Sequence, residues 1–164
     1  MKLLLVRHAA AVPAGTPGIR DDDRPLTPKG VSKFRVAAKG LARIARRPDV
    51  LLTSPLPRAR ATAEIAATAF KRIEPTVETA LAHGTVDDIL TALGRHPAGA
   101  TVAIVGHEPT ISMTLARLLG AGDGERFPFR KGGAALVDLP DGLAAGGRLV
   151  WFLRPKVLRA LAGD

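Results

Sequence analysis

The sequence predicts an α/β fold, a three-layer sandwich in which helices flank a mostly parallel central sheet, with an antiparallel C-terminal strand pair. Two observations lead to this prediction. Short apolar runs alternate with longer segments that repeat apolar residues at helical spacing, which is typical of parallel sheets. Towards the C-terminus this alternation stops, and two apolar runs separated by the glycine-rich segment DGLAAGG indicate an antiparallel pair.

Each element follows from its own composition. ATVAIVG is the strongest strand because it is apolar, β-branched and uninterrupted. Thr27 and Pro28 suit the N-cap and the first position of a helix, and Gly120 suits a helix end. The predicted strands are KLLLV, DVLLT, PTVET, ATVAIVG, GAALVDLP and RLVWFL, and the predicted helices span 26–47, 54–70, 85–93, 108–120 and 155–164.

The composition is that of a globular protein and is compatible with a reducing compartment. The 164 residues are expected to form one domain, residues 1–164, since 46% of them are hydrophobic. The chain has no cysteine, which excludes disulfides, thiolate catalysis and cysteine-bound zinc. No apolar stretch reaches the roughly 20 residues of a membrane helix, and the first apolar run is too short for a signal peptide. We therefore expect a cytoplasmic protein with no membrane partner.

The formal net charge of +9 favours a phosphate-bearing partner. Nucleic acid is a poor fit, because the five phenylalanines and the one tryptophan are not interleaved with basic runs. The acidic run at residues 21–23 fits a solvated loop better than a magnesium site. The four histidines include no helical pair such as HExxH. We therefore expect neither a metal ion nor another cofactor.

Polar residues follow three of the predicted strands at the point where each strand ends. Arg7 and His8 follow KLLLV. Arg58 lies at the start of the helix after DVLLT, and His107 follows ATVAIVG. The carboxyl ends of parallel strands share one sheet edge, where open α/β sheets place their ligands. We expect these side chains to converge there, and two arginines, two histidines and helix N-termini favour phosphate.

The segments VRHA, RPLTPKG, SPLPRARAT and VGHEP, in this order, resemble the motifs of the histidine phosphatase superfamily, the phosphoglycerate mutase-like group. The compact length and the ending WFLRPKVLRAL are similar to the SixA-type phosphohistidine phosphatases of that group. The resemblance implies a metal-independent phosphatase that forms a phosphohistidine intermediate. It also implies phosphohistidine on a partner protein as the substrate. Two alternatives stay open: a phosphatase of a small phosphorylated metabolite or nucleotide, and a non-catalytic phosphate-binding module.

The resemblance also implies a role for each matching residue. His8 would take the phosphoryl group onto a ring nitrogen. Arg7 and Arg58 would bind the phosphoryl oxygens, and His107 would complete the pocket. Arg24, in RPLT, matches a substrate-binding arginine of the family. Neighbouring cations favour the neutral form that His8 needs for attack, and forked guanidinium groups match the charge on three equatorial oxygens.

Two positions depart from the family pattern. Ala9 stands where the family has glycine, which tolerates unusual backbone conformations more readily. Mutase-like relatives place a glutamate after the third strand to protonate the leaving oxygen, and the corresponding segment ALAHGTVDD has none. The general acid is therefore left open between Glu108, His83 and none.

Overall fold

Six strands form one mixed sheet in the computed structural model, which describes residues 1–163. Their order in the sheet is β3-β2-β4-β1-β5-β6. The first four strands pair in parallel, whereas β5 is antiparallel to both β1 and β6. This confirms the predicted α/β class, mostly parallel sheet and antiparallel C-terminal pair. The strands are β1 (Lys2–Arg7), β2 (Val50–Thr53), β3 (Pro75–Val77), β4 (Thr101–Gly106), β5 (Ala134–Asp138) and β6 (Arg148–Leu153).

Helix α1 begins where Thr27 and Pro28 predict. The Thr27 side chain accepts a hydrogen bond from the Gly30 N–H at the start of α1. The predicted 155–164 helix ends at Ala160, and Asp164 lies outside the described residues. Within residues 1–163, no helix is long and apolar enough to cross a membrane. The helices are α1 (Pro28–Ile44), α2 (Pro57–Ala69), α3 (Ala80–His83), α4 (Val86–Gly94), α5 (Thr110–Leu118) and α6 (Pro155–Ala160).

Hydrophobic clusters cover both faces of the sheet, and β1 contributes to both. Leu4 and Val6 pack in the cluster formed with α1, α2 and α6, and Leu3 and Leu5 pack in the cluster formed with α4 and α5. Each of these four side chains is at most 1% exposed. Burial of such a side chain contributes about 1.5–3 kcal/mol. The end of β1 is therefore anchored from both sides.

Three neighbouring strands bring their carboxyl ends to one edge. Arg7 lies opposite Gly106 in the β1–β4 pair, and Thr53 lies opposite Val105 in the β2–β4 pair. The segments that follow β1, β2 and β4 therefore start side by side. The long connection after β1 is closed on itself by an isolated antiparallel bridge between Ala11 and Leu26, and it contains a 3-10 turn at Asp21–Asp23.

Candidate active site

The predicted strand-end residues meet at this edge. The rings of His8 and His107 lie 5.0 Å apart between centroids and are tilted by 49°. The positive charges of Arg7 and Arg58 are both close enough to act on the His8 ring. His8, Arg58 and His107 are all at least nine-tenths buried. Residues from three separate parts of the sequence thus form one cluster.

His8 is a neutral imidazole with a defined tautomer. Its Nδ1 lies 2.7 Å from the Ala9 carbonyl oxygen. A carbonyl oxygen only accepts, so Nδ1 carries the proton and Nε2 keeps a free lone pair. Burial, reinforced by the charges of Arg58 and Arg7, lowers the pKa of His8 from 6.5 to about 4 despite the opposing effect of the Ala9 hydrogen bond. At neutral pH, Nε2 is therefore available to act as a nucleophile.

His107 has the complementary arrangement. Its Nε2 lies 2.8 Å from Ser54 Oγ, which accepts a hydrogen bond from the Leu56 N–H at 3.2 Å. We assign the Ser54 hydroxyl as the donor to His107 Nε2, since its oxygen already accepts from Leu56, and this assignment places the ring proton on Nδ1. Nδ1 is buried and has no partner in the described chain. Burial, followed by the charges of His8 and Arg58, lowers the pKa of His107 to about 3. His107 therefore presents an unsatisfied N–H donor on a neutral ring.

Each arginine is held at one nitrogen and open at another. Arg7 Nη1 donates to the Phe129 carbonyl oxygen at 2.6 Å, and Arg58 Nη1 donates to the Asp21 carbonyl oxygen at 2.8 Å. The Nε atoms of both arginines are buried without a partner within residues 1–163. Burial lowers the pKa of both guanidinium groups. Unsatisfied, charged donors of this kind are suited to bind an anion.

Thr62, which the sequence analysis did not single out, links the nucleophile segment to helix α2. Its hydroxyl accepts from the Ala9 N–H at 3.0 Å and donates to the Arg58 carbonyl oxygen at 2.7 Å. Its side chain is fully buried. Ala9 is also buried and is not among the residues with positive φ, so the alanine fits where the family has glycine. The sequence does show that Thr62 lies one helical turn after Arg58, which could have indicated the hydrogen bond to the Arg58 carbonyl. The hydrogen bond to Ala9, 53 positions away, had no such signal.

Arg24 and His83 lie at the edge of the cluster. Arg24 Nε donates to Asp21 Oδ1 at 2.9 Å. The charges of Arg24 and His83 are both among those that lower the pKa of His107. His83 is exposed, and its Nε2 lies 3.2 Å from Asp22 Oδ2. The structure therefore brings Arg24 close to the four strand-end residues and leaves His83 exposed at the edge of the cluster.

The carboxyl group of Glu108 is engaged in hydrogen bonds with Ser112 and Phe129. Ser112 Oγ lies 2.7 Å and 2.6 Å from its two carboxyl oxygens, and the Phe129 N–H donates to Oε1 at 2.8 Å. The carbonyl of the same Phe129 accepts from Arg7. Glu108 thus holds the backbone that in turn holds Arg7. This is the geometry of a positioning residue.

Two of the three aspartates in the acidic run at residues 21–23 pair with arginines of their own loop. Arg20 pairs with Asp23 at 2.9 Å and Arg24 pairs with Asp21 at 2.9 Å. Within residues 1–163, no group of three or more His, Asp and Glu side chains is placed to hold a metal ion. The charges of Asp21 and Asp23 are thus balanced within the loop.

Solved structures with this fold define the class of the protein. A protein designated as the phosphohistidine phosphatase SixA of Agrobacterium tumefaciens matches with a TM-score of 0.80 at 29% identity, covering 94% of this chain and 97% of that one. A protein with the same designation from Nakamurella multipartitia matches with a TM-score of 0.77 at 32% identity, covering 94% and 95%. The protein histidine phosphatase SixA with bound tungstate, at 24% identity and a TM-score of 0.81, shares the fold over 96% and 99% of the chains. The chain therefore has the fold of these phosphatases.

The family is defined by the sequence itself. Residues 3–88 match the model of the histidine phosphatase superfamily, branch 1. An uncharacterized protein of Picosynechococcus sp. is 33% identical over 147 residues, covering 88% of this chain and 87% of the relative. The protein belongs to the histidine phosphatase superfamily.

Proposed function

We propose that the protein removes phosphate from phosphohistidine on a partner protein, through a phosphohistidine formed on His8 and without a metal ion. One observation carries this proposal: the free lone pair of His8 Nε2 shares a pocket with unsatisfied donors on Arg7, Arg58 and His107. A nucleophile surrounded by donors that have no partner in the protein is an arrangement that a phosphoryl group would complete.

In the first step, His8 Nε2 attacks the phosphorus and an N–P bond forms as the N–P bond to the partner's imidazole breaks. The leaving imidazole takes the bonding electron pair. With its other nitrogen protonated, it departs as a neutral ring, because the ordinary pKa of histidine is about 6.5. Arg7 and Arg58 neutralise the charge on the equatorial oxygens, and His107 Nδ1–H donates to one of them.

In the second step, water attacks the phosphorus and the N–P bond to His8 breaks. His8 leaves with the electron pair and is neutral, since Nδ1 has kept its proton through the hydrogen bond to Ala9. One water proton stays on the phosphate oxygen, and the other passes to the phosphate or to solvent. Both steps therefore use the same donors and return the site to its starting state.

The leaving group is the reason for choosing phosphohistidine. An alkyl phosphate expels an alkoxide, for which a general acid is typically worth about 10²–10⁴-fold. Both oxygens of the Glu108 carboxyl group are already engaged by Ser112 and Phe129. A leaving imidazole departs as a neutral ring and therefore does not need such an acid. The designations of the two relatives at 29% and 32% identity support the same substrate class.

A small phosphorylated metabolite is the second candidate substrate, and one feature favours it. A cleft of about 1310 Å³ opens beside Arg7, between α4, α5 and the segment around Phe129. We call it the α4–α5 cleft. This volume is large enough to hold a small molecule, since small-molecule sites typically measure roughly 300–1,000 Å³.

The proposal is tested by offering several substrates to the purified protein in the presence of a chelator. We expect kcat/KM to be highest for a phosphohistidine protein, lower for aryl phosphates and lowest for sugar phosphates and nucleotides. Rapid quenching without acid should trap an acid-labile phosphoenzyme that is absent from His8→Ala. Label on another residue would contradict the assignment of His8 as the nucleophile, and full dependence on a metal ion would contradict metal-free transfer. Preference for a sugar phosphate or nucleotide would favour the second candidate substrate.

A further inference from the structure

A second, smaller depression lies on the other side of the site. It has a volume of about 340 Å³ and runs between α1, α6 and the turn before β5. We call it the α1–α6 groove, and its basic lining residues are Lys29, Lys33, Lys131 and Arg159. Its floor includes the apolar side chains of Phe34 and Pro155.

The charge of the α1–α6 groove is uncompensated. Its lining contains four cationic side chains and no Asp or Glu. Within residues 1–163, none of the four forms an ion pair. Lys29 and Lys33 are one helical turn apart on α1, where like charges repel. Carboxylates placed in the groove would relieve that repulsion.

The α1–α6 groove adjoins the active site. Ala9 and Ala10, which directly follow His8, form part of its wall. Gly132, also in the wall, donates its N–H to the carbonyl oxygens of Arg7 and His8 at 3.1 and 3.0 Å. A molecule with its phosphoryl group on His8 would therefore have neighbouring atoms over the groove.

The lining points to a protein surface as the occupant. The three lysines are exposed, and their charges are spread over α1 and the turn before β5. Such long, solvated side chains suit several carboxylates on a larger body better than one small anion, which needs fixed, buried donors. The α4–α5 cleft differs, because Asp87, Asp123 and Glu125 offset its arginines.

We propose that the α1–α6 groove binds acidic side chains on the phosphohistidine-bearing partner protein while its phosphorylated histidine occupies the site at His8. This inference rests on the proposed function and specifies in addition that the partner surface around the phosphohistidine is acidic. The groove holds the partner through Lys29, Lys33, Lys131 and Arg159 and steers its approach. Steering of this kind raises association rates about 10–10³-fold and weakens with salt.

The test compares two charge reversals on the same helix. Lys29→Glu with Lys33→Glu alters the groove. Arg35→Glu with Lys39→Glu is the matched control, since both residues are exposed, have the same four-residue spacing and lie outside the groove lining. The protein substrate is a histidine phosphotransfer domain that is phosphorylated on its histidine and has acidic residues around it. The small substrate is phosphoramidate.

We expect the groove variant to lower kcat/KM on the phosphorylated domain about 10–10²-fold more than the control variant does, with the difference shrinking at high salt. On phosphoramidate the two variants should be affected equally. Neutralising the acidic residues of the domain should abolish the difference between the variants. Equal effects on the domain, or an equal extra loss on phosphoramidate, would overturn the inference.

The outcome also separates this inference from the proposed function. If the wild-type protein hydrolyses the phosphorylated domain and the two variants lose activity on it equally, the docking inference fails while the proposed function stands. If the wild-type protein hydrolyses neither the domain nor phosphoramidate, the proposed function fails, and binding of the phosphorylated domain is then compared by calorimetry. Weaker binding by the groove variant alone would support the groove, and equal binding would overturn it.

Discussion

Acidification below about pH 6.5 should destabilise the folded protein through its two buried histidines. The pKa of His8 is lowered to about 4 and that of His107 to about 3, mainly by burial. In the unfolded chain both rings regain the ordinary pKa of about 6.5. Between these values the unfolded state binds two protons that the native state does not, so the free energy of unfolding decreases as the pH decreases.

The size of the effect follows from the number of protons. Each histidine that is charged only in the unfolded state contributes a slope of about 1.4 kcal/mol per pH unit. Two such histidines give about 3 kcal/mol per unit between about pH 5.5 and 4.5. This is a substantial part of the roughly 5–15 kcal/mol by which most domains are stable. Above about pH 7 the contribution vanishes because both states are neutral.

Urea unfolding at closely spaced pH values, in a phosphate-free buffer, measures this slope. His8→Asn and His107→Asn should each reduce it by about 1.4 kcal/mol per unit. Carboxylates with a lowered pKa, such as Asp21 and Asp88, lose their stabilising effect only at lower pH, through the range below their ordinary 3.8. An unchanged slope in both variants, or ring NMR signals of His8 that titrate near pH 6.5, would refute the reasoning.

Three further predictions concern single side chains. Arg58→Lys should lower kcat by about 10²-fold or more, because an ammonium lacks the forked geometry; a near-normal rate would remove Arg58 from phosphate binding. Ser54→Ala should leave His107 Nε2 unpaired and cost about 1–3 kcal/mol of stability. The ring proton of His107 can then move to Nε2, which ¹⁵N ring shifts report; an unchanged tautomer would contradict the conclusion that Ser54 fixes it. Glu108→Gln should change the rates on phosphoramidate, aryl and alkyl phosphates in the same proportion, and a selective collapse on alkyl phosphates would instead identify Glu108 as the general acid.

Most of the sheet could be predicted because its signals are local. Apolar runs mark the strands, and Thr27 and Pro28 mark the start of α1 by chemistry that acts within one helical turn. Helix α3, at Ala80–His83, was not predicted. It has four residues and no side-chain cap, so neither periodicity nor capping indicates it.

The convergence of Arg7, His8, Arg58 and His107 could be predicted because parallel strands must end at one edge. The partners of these residues could not. Ser54 bonds to a histidine 53 positions away, and Arg7 bonds to a carbonyl 122 positions away. Such contacts depend on the relative placement of whole elements, which sequence spacing does not encode.

The residues of the site lie in parts of the fold that differ in stability. His8 and His107 follow β1 and β4, which are interior strands with a hydrogen-bonded neighbour on each side. Arg24 and Asp21 belong to the connection between β1 and α1, whose base is closed by the bridge between Ala11 and Leu26. Interior amides exchange with solvent only when much of the molecule opens, whereas a loop opens by itself. Local opening of this connection should thus break the hydrogen bond between Arg58 and Asp21 while His8 and His107 stay together. Substrate entry would then depend on the stability of the connection, and the nucleophile on the stability of the sheet.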